Sequence, residues 1–292
     1  MDIVKYKLKG HESFALRDGW LTKGMRAVAA DNRFYTVNSG TDILGVGTNM
    51  AKSIRYWLKA VGFTKENPGK GITFTDIGDV VHSCDAYMED LFTLWIAHCN
   101  IATNSELATS WYLFFNYMNL TSAFRREEIQ ELMKARFIEH TGVQEPSERS
   151  IRDDCAVILS MYCKSGNISD DPEEKKISPF EELGLISKIG NKYKKMRPSR
   201  EILDELVVLY LMIDKLNDEG SIQIDYLTDG VNMPGKILNL NRIAINDYLD
   251  MLQNHGHIVV NRTAGLDIIY PKDCKGKTQY DVVRNYYGRY RR

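Results

Sequence analysis

The chain has 292 residues, of which 43% are hydrophobic and 26% are charged. This composition is typical of a globular protein with a substantial core, and the length allows two domains or one elaborate domain. The formal net charge of −1 excludes a general polycation, so any contact with nucleic acid must come from local basic patches.

The five cysteines form no CxxC pair, which favours reduced thiols in a cytoplasm over a disulfide framework. The first residues, MDIVKYKLKGHESF, lack the apolar core of a signal peptide. No run of about 18 apolar residues predicts a membrane span. We therefore expect a cytoplasmic protein.

Residues 1–80 are predicted to form an N-terminal winged helix-turn-helix. The first residues alternate like a short edge strand, and a first helix follows around Trp20. The stretch TDILGVGTNMAKSIRYWLKAVGF at 41–63 then has the pattern of a short helix, a turn at Gly45 and Gly47, and a second helix. Asn67-Pro68-Gly69 predicts the turn of a hairpin, which would be the wing.

The second helix of this motif is amphipathic, and Thr48 is the expected N-cap. Helical spacing predicts one apolar face and one basic outer face, so this region is the first candidate for nucleic-acid contact. The alternative is a packing or partner-binding module whose basic face is merely solvated. The candidate residues are Thr48, Asn49, Lys52, Arg55, Tyr56, Lys59 and Lys70.

Residues 81–198 are predicted to form a helical core domain, because aromatic and apolar runs alternate there with amphipathic helices. One such helix should end at Gly142, and another should cover 151–162. Asp153 and Asp154 are expected to be a like-charge pair on a surface or cap, without a third partner. A basic cluster near residues 192–197 is expected on a strand or hairpin.

Residues 199–274 are predicted to form a second winged helix, with helices at 200–217, 221–227 and 241–254 and two strands near 257–271. Arg242 and Arg262 are its candidate DNA contacts. Asp247 and Asp250 share that surface, and carboxylates beside phosphates repel. Partner binding is therefore the favoured role of this module.

Residues 275–292 form a basic tail in which cations and tyrosines are interleaved. Cations neutralise phosphates, and aromatic rings can stack on unpaired bases. The alternative is a C-terminal helix whose tyrosines pack on the body of the protein. The candidate nucleic-acid contacts are Arg284, Arg289, Arg291 and Arg292.

No catalytic motif emerges from the sequence. A GxxxxGK[ST] phosphate loop is absent, and GVGTNM has no preceding strand of a βαβ unit. His98 and Cys99 are adjacent, so their side chains diverge on a helix, and the paired spacing of a zinc site is lacking. We expect a protein that is not an enzyme and that has no cofactor and no metal site.

Several motifs of the chain resemble a bacterial domain-of-unknown-function family, number 4007. The resemblance extends over nearly the whole chain. The motifs of the front half are GHESFALRDGWLTKGMRAV, DILGVGTNMAKSIRYWLKAVGF and YMEDLFTLWIAHCNIA, and those of the back half are FEELGLI, MPGKILNLNRIAINDYLDML and TAGLDII.

The resemblance implies that this protein is similar to winged-helix regulators. It also implies that its gene lies beside genes for DNA sulfur modification (phosphorothioation) and phage defence. It thus implies a non-catalytic, DNA-binding accessory or regulatory protein, with DNA as one partner. A sulfotransfer enzyme of the phosphoadenosine-phosphosulfate reductase type, or another defence component, is the other implied partner. The alternative is a protein–protein adaptor that scaffolds a sulfotransfer or defence complex without touching DNA.

Overall fold

Helices make up most of the computed structural model, and short antiparallel strands make up the rest of its regular structure, as the sequence predicts. The structure describes residues 4–163 and 178–289. Within these ranges no helix is long and apolar enough to cross a membrane. The chain divides into an N-terminal unit, Met1–Met196, and a C-terminal unit, Arg197–Arg292. The finer division into four regions stays a prediction.

The N-terminal unit begins with helices and a hairpin and continues with a helical bundle. A second hairpin follows residues 164–177, which lie outside the described residues. Its elements are α1 (Trp20–Ala30), α2 (Thr41–Leu44), α3 (Thr48–Ala60), β1 (Thr64–Asn67), β2 (Gly71–Phe74), α4 (Asp76–Cys84), α5 (Leu91–Thr103), α6 (Thr109–Tyr117), α7 (Arg126–Thr141), α8 (Glu148–Tyr162), β3 (Ile186–Ile189) and β4 (Lys192–Lys195).

Large aromatic side chains fill the core of this unit. Trp57, Trp95, Trp111 and Tyr162 are all essentially inaccessible to solvent. Helix α5 is buried on nearly every side, which explains why its sequence is apolar throughout rather than amphipathic.

The described residues of the C-terminal unit form five helices and a small three-stranded sheet. Its elements are α9 (Glu205–Glu219), β5 (Ile222–Gln223), α10 (Ile224–Asp229), α11 (Pro234–Ile237), α12 (Arg242–Asn254), β6 (Ile258–Asn261), β7 (Ile268–Pro271) and α13 (Gln279–Gly288). The strand order is β5-β7-β6, and every pairing in this sheet is antiparallel.

Three local predictions are wrong. Residues 4–7 form no edge strand. The helix expected at 221–227 begins as strand β5, because Ile222 pairs with Ile269 of β7, and α10 starts only at Ile224. The N-cap of α3 is Gly47 rather than Thr48, which is the first helical residue.

Candidate nucleic-acid interface

The turn between α2 and α3 fixes the direction of α3. Gly45 follows α2 with a φ of 58°, a left-handed conformation that glycine adopts without steric cost. Helix α3 then packs on α1 at Gly24, where a side chain would meet the Cδ1 atom of Leu58 at 2.5 Å. This close approach buries one side of α3, including Ile54 and Trp57.

Three cations of α3 lie on its remaining exposed side. Lys52, Arg55 and Lys59 follow one another at helical spacing, and the first two are exposed while Lys59 is half-exposed. We call these three residues the cationic stripe. Thr48 and Asn49 are exposed at the start of the same helix. Five of the predicted contact residues are therefore brought together on one helix.

Tyr56 does not lie on this surface, so the prediction that it shares the outer face is wrong. Its side chain is buried, and its hydroxyl donates a hydrogen bond to the carbonyl oxygen of Leu107 at 3.0 Å. Its ring also contacts the rings of Trp57 and His11. The buried face of α3 is thus wider than the apolar residues alone indicate.

The first hairpin, formed by β1 and β2, lies beside the cationic stripe and supplies a carboxylate to it. The Nε atom of Arg55 donates to Oε1 of Glu66 at 2.9 Å, and Nζ of Lys59 lies 3.9 Å from Oε2 of the same residue. The guanidinium of Arg55 also lies 5.3 Å from the ring centre of Tyr35. Among the described residues, Lys52 takes part in no ion pair.

The tip of the first hairpin carries Lys70, which is exposed as predicted. Its backbone N–H donates to the carbonyl oxygen of Asn67 at 3.0 Å and closes the turn. Arg33 donates through Nη2 to the carbonyl oxygen of Gly69 at 2.7 Å. This bond ties the turn of the hairpin to the segment after α1.

Two candidate cations of the C-terminal unit, Arg242 and Arg262, are paired with carboxylates. Arg242 pairs with Asp225 and, at 2.5 Å, with Asp267. Arg262 donates to Asp250 at 2.8 Å. A phosphate would have to compete with these carboxylates for both guanidinium groups.

Residues 279–288 form α13, which packs on α9 and buries Tyr286 and Tyr287. This agrees with the alternative of a packed C-terminal helix. Arg284 is exposed, and its guanidinium lies 5.5 Å from the ring centre of Tyr280. Arg289 pairs with Asp204 and Glu205 on the same unit. Arg291 and Arg292 lie outside the described residues.

A buried polar cluster in the N-terminal unit was missed by sequence reasoning. Asp154 is 1% exposed, and its carboxylate lies within 2.8 Å of His11 Nε2. It also accepts hydrogen bonds from Ser110 Oγ at 2.5 Å and from the backbone N–H of Lys9 at 2.9 Å. The expectation of a surface carboxylate without a third partner is therefore wrong for Asp154. The signal was available, because Asp154 shares the apolar side of α8 with Ile151 and Ile158.

Cys99 and Cys155 are buried in the N-terminal unit. Burial raises the pKa of Cys155 to about 12 and also raises the pKa of Cys99, so both stay protonated thiols at neutral pH. Within residues 4–163 and 178–289, no three His, Cys, Asp or Glu side chains are grouped so that they could hold a metal ion.

Comparison with known proteins relates nearly the whole chain to one family. The profile of the family described as "Protein of unknown function (DUF4007)" matches residues 8–287. A solved structure entitled "SspB crystal structure" has a TM-score of 0.85 and 24% identity, and the match covers 98% of this chain and 89% of that one. A "Magnesium ion-bound SspB crystal structure" matches with the same TM-score and coverage at 23% identity. No functionally curated protein matches the sequence.

Proposed function

The chain belongs to the DUF4007 family, and we propose that it is a non-catalytic, DNA-binding accessory protein of a DNA sulfur-modification or phage-defence system. The observation that carries DNA binding is the cationic stripe on the exposed side of α3. The link to sulfur modification and defence rests on the family resemblance of the sequence motifs. We expect the protein to act in the cytoplasm.

The arrangement of α1, α2, α3 and the first hairpin supports a winged-helix mode of binding. In a helix-turn-helix, the second helix of the motif enters the major groove, and flanking groups contact the backbone. Helix α3 would be that helix, and Lys70 on the hairpin would reach a neighbouring phosphate. Lysine and arginine side chains neutralise phosphates and release counterions when they bind.

The first test is fluorescence anisotropy with a random duplex and a phosphorothioated duplex, each titrated across salt. We expect affinity to fall steeply with salt, because phosphate contacts release counterions. The triple variant Lys52→Glu, Arg55→Glu, Lys59→Glu should weaken binding by about tenfold or more without changing the circular dichroism spectrum. Different affinities for the two duplexes would mean that the protein distinguishes phosphorothioated DNA from unmodified DNA.

A matched control is the triple variant Lys188→Glu, Lys192→Glu, Lys194→Glu on the β3–β4 hairpin. These lysines are exposed, and the variant changes the net charge of the chain by the same amount. Equal losses in the two variants would mean that overall charge, not α3, governs binding. Absence of binding to either duplex at low salt would rule out the proposed DNA-binding function.

A second candidate function is that of a protein–protein adaptor. The C-terminal unit exposes several large apolar side chains, and a partner that covered them would gain free energy from the burial of apolar surface. Val259 and Tyr270 are direct cross-strand neighbours, and they are 45% and 39% exposed. Ile243 at the start of α12 is 70% exposed.

The adaptor function is tested by co-purification with a sulfotransfer enzyme of the phosphoadenosine-phosphosulfate reductase type. We expect a complex that survives the triple variant of the cationic stripe. The pair Val259→Glu and Tyr270→Glu should abolish it. Loss of the complex in the stripe variant instead would assign the partner surface to α3.

A further inference from the structure

Glu66 is the one carboxylate that the described residues place against the cationic stripe. It lies on β1, and its side chain contacts both Arg55 and Lys59. The side chains of Arg55 and Glu66 are 45% and 38% exposed. Ion pairs at such exposure contribute little to stability, so this pair can open at small cost.

The contact lies in a groove between the first hairpin, α3 and the segment after α1. The groove has a volume of about 780 Å³, and Arg33, Tyr35, Arg55, Lys59 and Glu66 line it. Three of these five side chains are cationic at neutral pH. The groove is therefore built for a negative charge, and Glu66 supplies that charge in the free protein.

The side chain of Tyr35 also lines this groove, and its ring centre lies 5.3 Å from the guanidinium of Arg55. Its hydroxyl is buried and has no hydrogen-bond partner in the described part of the chain. Burial raises the pKa of Tyr35, so the hydroxyl stays protonated at neutral pH.

We propose that this groove receives one backbone phosphate of DNA, and that the carboxylate of Glu66 occupies the place of that phosphate in the free protein. The proposal rests on the proposed DNA binding and names the residue that opposes it. Carboxylates and phosphates both accept hydrogen bonds from a guanidinium in similar geometry. A phosphate that binds must displace Glu66 from Arg55, and Glu66 then repels it.

The substitution Glu66→Gln removes this competition and keeps the size of the side chain. We expect it to tighten DNA binding about two- to fivefold, the equivalent of one exposed ion pair. The slope of log affinity against log salt should become slightly steeper, because the variant has no displaced carboxylate that attracts a cation when DNA binds. Both quantities come from the same anisotropy titrations.

Two comparisons make the test specific. Glu131→Gln on α7 changes an exposed glutamate to the same residue and alters the net charge equally. It should leave the affinity unchanged. In the background of Arg55→Gln, the gain from Glu66→Gln should shrink, because the two side chains act on the same phosphate.

The outcomes separate this inference from the proposed function. If Glu66→Gln binds DNA no more tightly than the wild type, Glu66 is not a competitor and the inference fails, although DNA binding stands. Weaker binding would show that Glu66 orients Arg55 instead, and would also overturn it. If neither protein binds DNA at low salt, both the inference and the proposed function are wrong.

Discussion

Asp154 is a buried carboxylate of the N-terminal unit with three polar partners. Its carboxylate is held by His11, Ser110 and a backbone N–H. The ring of His11 is stacked on Trp57, with a centroid distance of 5.8 Å. These contacts fix the segment 9–13, in which Lys9, Glu12 and Ser13 have φ angles of 54°, 50° and 66°. Each non-glycine residue with a positive φ angle costs about 1 kcal/mol or more of conformational free energy, so the surrounding contacts must offset this strain.

Removal of this carboxylate should destabilise the N-terminal unit strongly. The substitution Asp154→Ala leaves buried hydrogen-bonding groups of His11 and Ser110 without their partner. We expect a loss of about 3–5 kcal/mol in the free energy of unfolding. Urea denaturation followed by tryptophan fluorescence measures it, because all four tryptophans of the sequence lie in this unit.

The neighbouring carboxylate provides the control. Asp153 pairs with Lys9 at 2.6 Å, but the two side chains are 29% and 30% exposed. The substitution Asp153→Ala should therefore cost less than about 1 kcal/mol. Equal effects of the two substitutions would contradict a special role for the buried cluster.

At the residue scale, the sequence indicated which residues of the candidate site are charged. It did not indicate which of the candidate residues are buried or paired with carboxylates. Lys52 and Arg55 are exposed on α3 as the helical spacing indicates. Tyr56 is buried because residues 9–14, distant in sequence, cover that side of the helix. The partners of Arg242 come from α10 and from the segment before β7, and no local pattern pairs them.

At the scale of the elements, the contact between α4 and the end of α3 depends on one glycine. A Cβ atom at position 78 would clash with the backbone carbonyl oxygen of Phe63. Thr75 caps α4 by accepting a hydrogen bond from the N–H of Gly78 at 3.0 Å, and donates to the carbonyl oxygen of Gly62 at 2.6 Å. These contacts hold the start of α4 against Gly62 and Phe63, which follow α3.

The substitution Gly78→Ala should destabilise the N-terminal unit by about 2 kcal/mol or more, since the clash involves backbone rather than a flexible side chain. This is opposite to the gain of up to about 1 kcal/mol that alanine normally gives over glycine within a helix. Thermal unfolding measures the change. Gly288→Ala at the end of α13, where nothing lies within 4 Å of the added Cβ, should be neutral or stabilising. A neutral Gly78→Ala would refute the close packing of α4.

Elements with strong local signals were predicted well. Helix α7 ends where Gly142 adopts a φ of 74°, as the sequence indicates. Strand β5 could not be predicted, because it has two residues and exists only through pairing with β7, more than 40 residues later. The first hairpin was predicted from its turn residues Asn67-Pro68-Gly69, since proline and glycine restrict the backbone to turn conformations.

At the scale of the whole molecule, the N-terminal and C-terminal units each have a core of their own. In the C-terminal unit, Leu209 and Ile213 of α9, Leu249 of α12 and Val283 of α13 are buried. A domain with its own hydrophobic core can in principle fold alone. The near-neutral net charge of the chain does not reveal this division.

Expression of residues 1–196 and 197–292 as separate proteins should therefore give two folded products. We expect each to unfold cooperatively in urea, and DNA binding to remain with 1–196, which carries the cationic stripe. Circular dichroism and anisotropy measure the two properties. A product 197–292 that lacks a cooperative transition would show that its core depends on the rest of the chain.

The contact between His11 and Asp154 has a consequence for synthesis on the ribosome. The two residues are 143 positions apart. At roughly 5–20 residues per second, translation needs about 7–30 s to deliver the second after the first. During this interval the segment around His11 has no carboxylate to receive its hydrogen bonds, and the tryptophans that surround it lack part of their cover. The nascent chain therefore presents aromatic surface to the cell until α8 has emerged and Asp154 can pair with His11.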